Sequence, residues 1–189
     1  MIRKAVVLIV VISVIFLSQF FIFSSYLNTS DNVHQQGFNN KYNVYSIVKP
    51  NNLKFANEDV PESSLDIWER LDKELLKNIY WQSNTMLYFK RANKYFPIIE
   101  EILAKNNIPN DFKYLALIES GFENQVSPSG AAGFWQIMKG TAKEYGLEVN
   151  NAIDERYHLV KSTEVACEYL QKAYDEFGSW TMAAASYNM

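Results

Sequence analysis

Apolar residues are distributed very unevenly along the 189-residue chain. From Ala5 to Phe23 they form one run, broken only by Ser13, Ser18 and Gln19 and preceded by Arg3 and Lys4. A positive start followed by an apolar stretch close to membrane-spanning length reads as a signal peptide or, slightly favoured, an uncleaved signal anchor over residues 1–27. Residues 28–63 are polar and Asn-rich, with Pro50 and Pro61 as breakers, and read as a linker. Within it, Tyr42, Val44, Tyr45, Ile47 and Val48 are the one cluster that a short strand would use. From Leu65 the spacing becomes three-and-four: Leu65, Trp68, Leu71 or Asp72, Leu75, Leu76 and Ile79, with Glu69 and Lys73 placed to pair on the outer side. A second helix is expected over Ser83–Phe96, and Pro97 restarts a third through Ile99, Ile102 and Leu103 to Lys105.

A short helix then opens at Pro109-Asn110-Asp111 and closes at Gly121, with Phe112, Leu115, Ala116 and Glu119 on one face. Thr141 to Glu144 reads as a capping box ahead of Gly146. Asp154 caps the next element, and Ala166, Leu170, Ala173 and Phe177 mark a long helix ending at Gly178. Ser179 caps a last helix whose inner face is Trp180, Ala183, Ala184 and Tyr187. No strand pairing is expected from Leu65 onward, so the fold class is all-α. The expected division is an N-terminal helical segment over 64–107 and a second domain over 108–189.

Composition narrows the chemistry more than the fold. An apolar fraction of 48% suffices for a packed core, while a net charge of −3 argues against nucleic acid as a partner. The single Cys167 sits in a helical pattern and reads as a buried thiol. His34 and His158 are too isolated to hold a metal, and no phosphate-binding loop or Ser-His-Asp set is present. Neither a metal nor a cofactor is expected.

Glu119 is the candidate that remains. An inward carboxylate in the last turn of a helix meets desolvation and the negative end of the helix macrodipole, and both favour its protonated form. That is the state a general acid needs near neutral pH. Periodicity alone favours a helix-end Glu that reaches water or pairs with a Lys, since buried carboxylates are rare. The following turn, Ser127-Pro128-Ser129-Gly130, and the segment Gly133-Phe134-Trp135-Gln136 add small residues, aromatic faces and an amide.

Glu119-Ser120, then Gly130-Ala131-Ala132-Gly133-Phe134-Trp135-Gln136, then Ala184-Ala185-Ser186-Tyr187-Asn188 occur in the order and spacing of three motifs. In these the chain resembles the catalytic domain of lytic murein transglycosylases, in the lysozyme-like superfamily, and most of all the membrane-bound type D branch. The resemblance runs from about Leu65 to the end. It implies a lysozyme-like helical domain that cleaves the β-1,4 bond between N-acetylmuramic acid and N-acetylglucosamine in peptidoglycan glycan strands, leaving 1,6-anhydro ends. It implies Glu119 as catalytic acid and base. Ser120, Ser127, Trp135, Gln136, Tyr187 and Asn188 are implied on the substrate side, Ser120 as a support for the local backbone, Trp135 as a wall of the cleft and Asn188 as a support for Tyr187. Glu123 needs no role. The implied setting is the cell envelope, on the periplasmic side of the inner membrane or exported, with the N-terminal run on the membrane. The family's tyrosine motif is followed by further helices, so the chain is expected to be C-terminally truncated. Two other readings stay open: a goose-type lysozyme that adds water, and a non-catalytic wall-binding module.

Overall fold

A computed structural model describes residues 47–188 of the chain apart from Lys49, so the apolar run of 5–23 and the Tyr42–Tyr45 part of the possible strand lie outside it. Among the described residues, helix dominates. Helix α1 spans Leu65–Tyr80 and α2 spans Gln82–Lys105, joined by the single residue Trp81. Helix α3 is Lys113–Ser120, entered through a 3₁₀ turn at Asn110–Phe112. Helices α4, Lys139–Glu144, α5, Leu159–Phe177, and α6, Trp180–Ser186, follow.

Four local expectations are corrected. Pro97 does not restart a helix: α2 runs through it without a break. Its ring sits on the exposed side and the inward residues Ala92, Ile99, Ile102 and Leu103 keep their stripe, so packing holds the helix across the missing N–H. On α1 the ion pairs are Asp66–Arg70 and Glu74–Lys77 rather than Glu69–Lys73. Thr141 lies inside α4, whose N-cap is Met138, so there is no capping box; the helix is closed instead by a Schellman pair, Leu147 N–H to Ala142 O at 2.8 Å and Gly146 N–H to Lys143 O at 3.1 Å. Finally, the end of the polar linker is built structure. Lys54–Phe55 (β1) and Glu58–Asp59 (β2) form a short antiparallel hairpin whose tip, Ala56, is buried.

That hairpin is held from two sides. The Ala56 N–H donates to Asp111 Oδ2 at 2.7 Å, and Phe55 stands edge-on to Phe112 at 5.3 Å between centroids. The Glu58 carboxylate accepts from Ser179 Oγ, Trp180 N–H and Thr181 N–H at 2.8, 2.6 and 2.9 Å, so it caps the start of α6 from more than a hundred residues away. Ser179 also caps α6 as expected, accepting from Met182 N–H at 3.3 Å.

The core is formed where α2, α3, α5 and the 131–137 segment meet. Ile99, Leu103, Phe112, Ala116, Trp135 and Leu170 are wholly shielded from solvent. Phe122, Phe134, Tyr95 and Phe96 pack as a tilted aromatic cluster beside them. Cys167 is buried, and burial pushes its thiol up to about 12, so it is an inert core residue. Phe177, which continues the spacing of Ala166, Leu170 and Ala173, is exposed because it belongs to the last turn of α5. Helix α1 is different in kind, since none of its residues is buried.

Candidate active site

Glu119 occupies the last turn of α3, half-buried, and burial raises its carboxyl above the usual range. The helix is stopped by Gly121, whose φ of 58° supplies the left-handed cap that the sequence predicts. A side chain there would also press on Tyr88, with a Cβ 3.0 Å from Cε1. Arg91 on α2 locks this end of α3: its Nη1 donates to Gly121 O at 2.9 Å and its Nη2 pairs with the Glu123 carboxylate. Glu123 therefore has a role that its loop position concealed.

Ser120 faces the core rather than a substrate. Its hydroxyl donates to Phe134 O at 2.8 Å and accepts from Phe122 N–H at 3.1 Å, tying the end of α3 to the segment that carries Gln136. Trp135 is likewise corrected as a cleft wall. It is fully buried, and its Nε1–H donates to Thr163 Oγ1 at 2.8 Å, so its indole is a core post that aims its neighbours. Ser127 closes the preceding turn, with Oγ accepting from Ala131 N–H at 3.0 Å and its own N–H donating to Ala131 O at 2.8 Å.

Gln136 is presented by strained backbone, with φ of 47° in a non-glycine residue. Its Nε2 donates to Gly133 O at 2.8 Å and Gln125 O at 3.1 Å. The amide oxygen is thus the group left to accept from a ligand. Sequence reasoning missed what holds this loop. Arg156, buried, reaches across with Nη1 to Gly130 O at 2.8 Å and Ile137 O at 3.1 Å, while Asp154 takes the other edge of the guanidinium at 2.7 Å. That hydrogen bond keeps the Asp154 carboxyl below its ordinary range. Gly133 makes the approach possible, because a Cβ there would stand 2.0 Å from Arg156 O. Asp154 was legible as a cap; the long reach of Arg156 carried no local signal.

Tyr187, at the end of α6, donates its hydroxyl to Trp135 O at 2.8 Å and stands edge-on to Tyr169 at 5.3 Å. Burial and then the Glu119 charge push its phenol well above the ordinary range, so the two side chains lie within electrostatic reach. Asn188 is exposed; the bond it makes is from its backbone N–H to Ala185 O at 3.3 Å, and it does not brace Tyr187 through its side chain. A cavity of about 280 Å³ is walled by Gln136, Thr141, Val165, Tyr169, Ser186 and Tyr187 among others. Glu119 is not in that wall, and Tyr187 links the two. Among the described residues no His/Cys/Asp/Glu group is arranged to hold a metal.

Residues 96–189 match the protein family described as Transglycosylase SLT domain. The chain is 33% identical over 131 residues to the membrane-bound lytic murein transglycosylase D of Escherichia coli (strain K12), which aligns 68% of this chain with 28% of that protein. The protein of the same name from Escherichia coli O6:H1 (strain CFT073) aligns with the same identity over the same shares. The chain therefore covers 28% of the length of these curated relatives.

Proposed function

Residues 96–189 belong to the transglycosylase SLT domain family, and from that premise we propose that the protein is a peptidoglycan lytic transglycosylase with Glu119 as its one catalytic carboxyl. The observation that carries the reading is a desolvated carboxyl at a helix C-terminus, with the Tyr187 phenol inside its field and the Gln136 amide beside that phenol on one cavity wall.

The chemistry needs one acid used twice. Protonated Glu119 gives its proton to the glycosidic oxygen, and the bond from that oxygen to C1 of N-acetylmuramic acid breaks. Positive charge develops at C1 opposite the new carboxylate. Glu119 then takes the proton of the 6-hydroxyl as O6 bonds to C1, which closes a 1,6-anhydro ring and returns the carboxyl to its starting state. A second carboxylate to activate water, as in inverting hydrolysis, is unnecessary. Glu123, the nearest acid in sequence, is held by Arg91 at the far side of the helix cap.

In this reading Gln136 accepts a hydrogen bond from an N-acetyl N–H or sugar hydroxyl, Ser127 borders the substrate at its turn, and Tyr187 keeps its proton throughout. Ser120 and Trp135 serve by holding backbone and core, and Asn188 has no side-chain role in the site. Residues 1–27 act as an export signal or anchor that sets the domain in the cell envelope, on the periplasmic side. Among the described residues no helix is long and apolar enough to cross a membrane.

The test is digestion of purified peptidoglycan followed by mass spectrometry of the released fragments. Anhydro-muramoyl ends are expected. Reducing ends would replace the proposal with hydrolysis, and no release with a binding role. Glu119→Gln is expected to lower release by about 10²–10⁴-fold, the usual worth of a positioned acid–base group. Cleavage at the native rate by that variant would remove Glu119 from the mechanism.

A further inference from the structure

The corner between α1 and α2 has no use in the proposed reaction, yet it gathers several exposed apolar side chains within a few residues of one another. Trp81, the whole of the connection, is 61% exposed, and on the first turns of α2 Met86 and Phe89 are 57% and 66% exposed. Ile79 and Leu87 add to the same rim. Asn78, Ile79, Gln82, Thr85, Met86 and Phe89 line a shallow open depression of about 560 Å³. The corner is rigidly made: Thr85 Oγ donates to Asn78 O at 2.5 Å across it, and Thr85 N–H to Trp81 O at 3.0 Å. A fixed apolar rim in water is costly, and one of this kind marks a contact surface.

Charge selects the partner. From Leu76 to Ile99 the sequence carries Lys77, Lys90, Arg91 and Lys94 and no Asp or Glu, in a chain whose net charge is −3. Lys77 is paired with Glu74 and Arg91 with Glu123, while the exposed Lys90 and Lys94 follow the apolar rim in sequence, Lys94 with its Nζ 4.8 Å from the Tyr95 ring centroid. Trp and Phe with Met at the front and lysines set back is the arrangement that suits a bilayer interface, where rings enter the headgroup layer and ammonium groups meet lipid phosphates. The chain outside the described residues agrees. In sequence an apolar run of membrane-spanning length ends at Phe23, and on the anchor reading of residues 1–27 the residues 24–46 can extend no more than about 80 Å from it.

We propose that the α1–α2 corner docks on the anionic headgroup face of a phospholipid bilayer, with Trp81, Met86 and Phe89 inserted and Lys90 and Lys94 on phosphates. This does not depend on the reaction assigned to Glu119.

The full chain offers a direct test, because all four tryptophans lie at or beyond Trp68 and none in the N-terminal run. Indole emission therefore reports the folded unit and not the segment that precedes it. The chain is reconstituted in vesicles of phosphatidylcholine and phosphatidylglycerol whose acyl chains are brominated to quench indole on contact. Quenching is expected, and Trp81→Phe is expected to lower it by about twofold or more, since Trp135 is buried. Lys90→Gln and Lys94→Gln, both at exposed positions, are each expected to reduce the docked fraction's equilibrium roughly 5-fold, and salt to do the same. Unquenched emission, or quenching indifferent to Trp81 and both lysines, overturns the proposal. So does a Trp81-dependent self-association, or a Trp81 emission change on insoluble peptidoglycan but not on vesicles, which would give the corner to a second copy or to the wall.

Discussion

At Glu119 the same burial that prepares catalysis is a cost to the folded state. Its carboxyl titrates above the ordinary 4.5, so the native state binds the proton more tightly than the unfolded chain. The stability tied to that proton is complete below about pH 4.5 and is lost as pH rises through the higher folded value. Glu119→Gln cannot suffer that loss. Thermal melts are expected to show the variant as stable as the native protein at pH 4 and at least as stable at pH 7, alongside its lost cleavage. A lower melting temperature at pH 7 would mean the carboxylate is held by partners and is not desolvated. Thr163 makes the opposite case, a residue silent in the chemistry but needed by Trp135. Thr163→Val leaves a buried indole N–H without its acceptor and is expected to destabilise by about 1–3 kcal/mol in denaturant titration. A neutral result would show that another acceptor takes the N–H.

Between residues and the whole molecule, the unit that matters is the 125–137 loop with its guanidinium brace. Arg156 holds it at Gly130 and Ile137, and Gly133 gives up a side chain so that the backbones can meet. Gly133→Ala places a methyl 2.0 Å from Arg156 O at a φ of 77°, and both backbones would have to shift. The expected loss is about 3 kcal/mol or more, with Gln136 displaced and cleavage lost along with stability. A melt within a degree or so of the native protein would show the brace to be slack. Helix α3 and this loop are further joined through Ser120, so the acid and the amide are carried on one connected piece of backbone.

Across the whole folded unit, the longest-range tie is that of Glu58 on the start of α6, the helix that delivers Tyr187. Three donors hold its carboxyl down to about 2, the Thr181 bonds contributing most. A depressed value contributes stability that is present above the unfolded pKa near 4.5 and is lost as pH falls from there toward 2. Glu58→Gln is therefore expected to flatten the acid limb of the stability curve between those limits and to lower the melting temperature at pH 7. Acid unfolding with unchanged steepness in that variant would place the acid sensitivity elsewhere.

Much of this protein is written in short-range pattern. Three-and-four spacing located α1, α5 and α6 and the two halves of α2, the glycines at 121, 146 and 178 marked helix ends, and the order of three motifs pointed to the SLT family. These are legible because a helix is a local object, decided by residues three and four apart and by its own caps. What tertiary structure alone decided is which side of a residue counts. Ser120 sits beside the candidate acid in sequence and Trp135 beside Gln136, yet both face the core, since the loop turns through Gly133 and closes on Arg156. Glu58, in what reads as linker, becomes the cap of a helix that begins 122 residues later. Pairings of that length depend on where the folded backbone returns to itself, and no window of neighbouring residues contains that information.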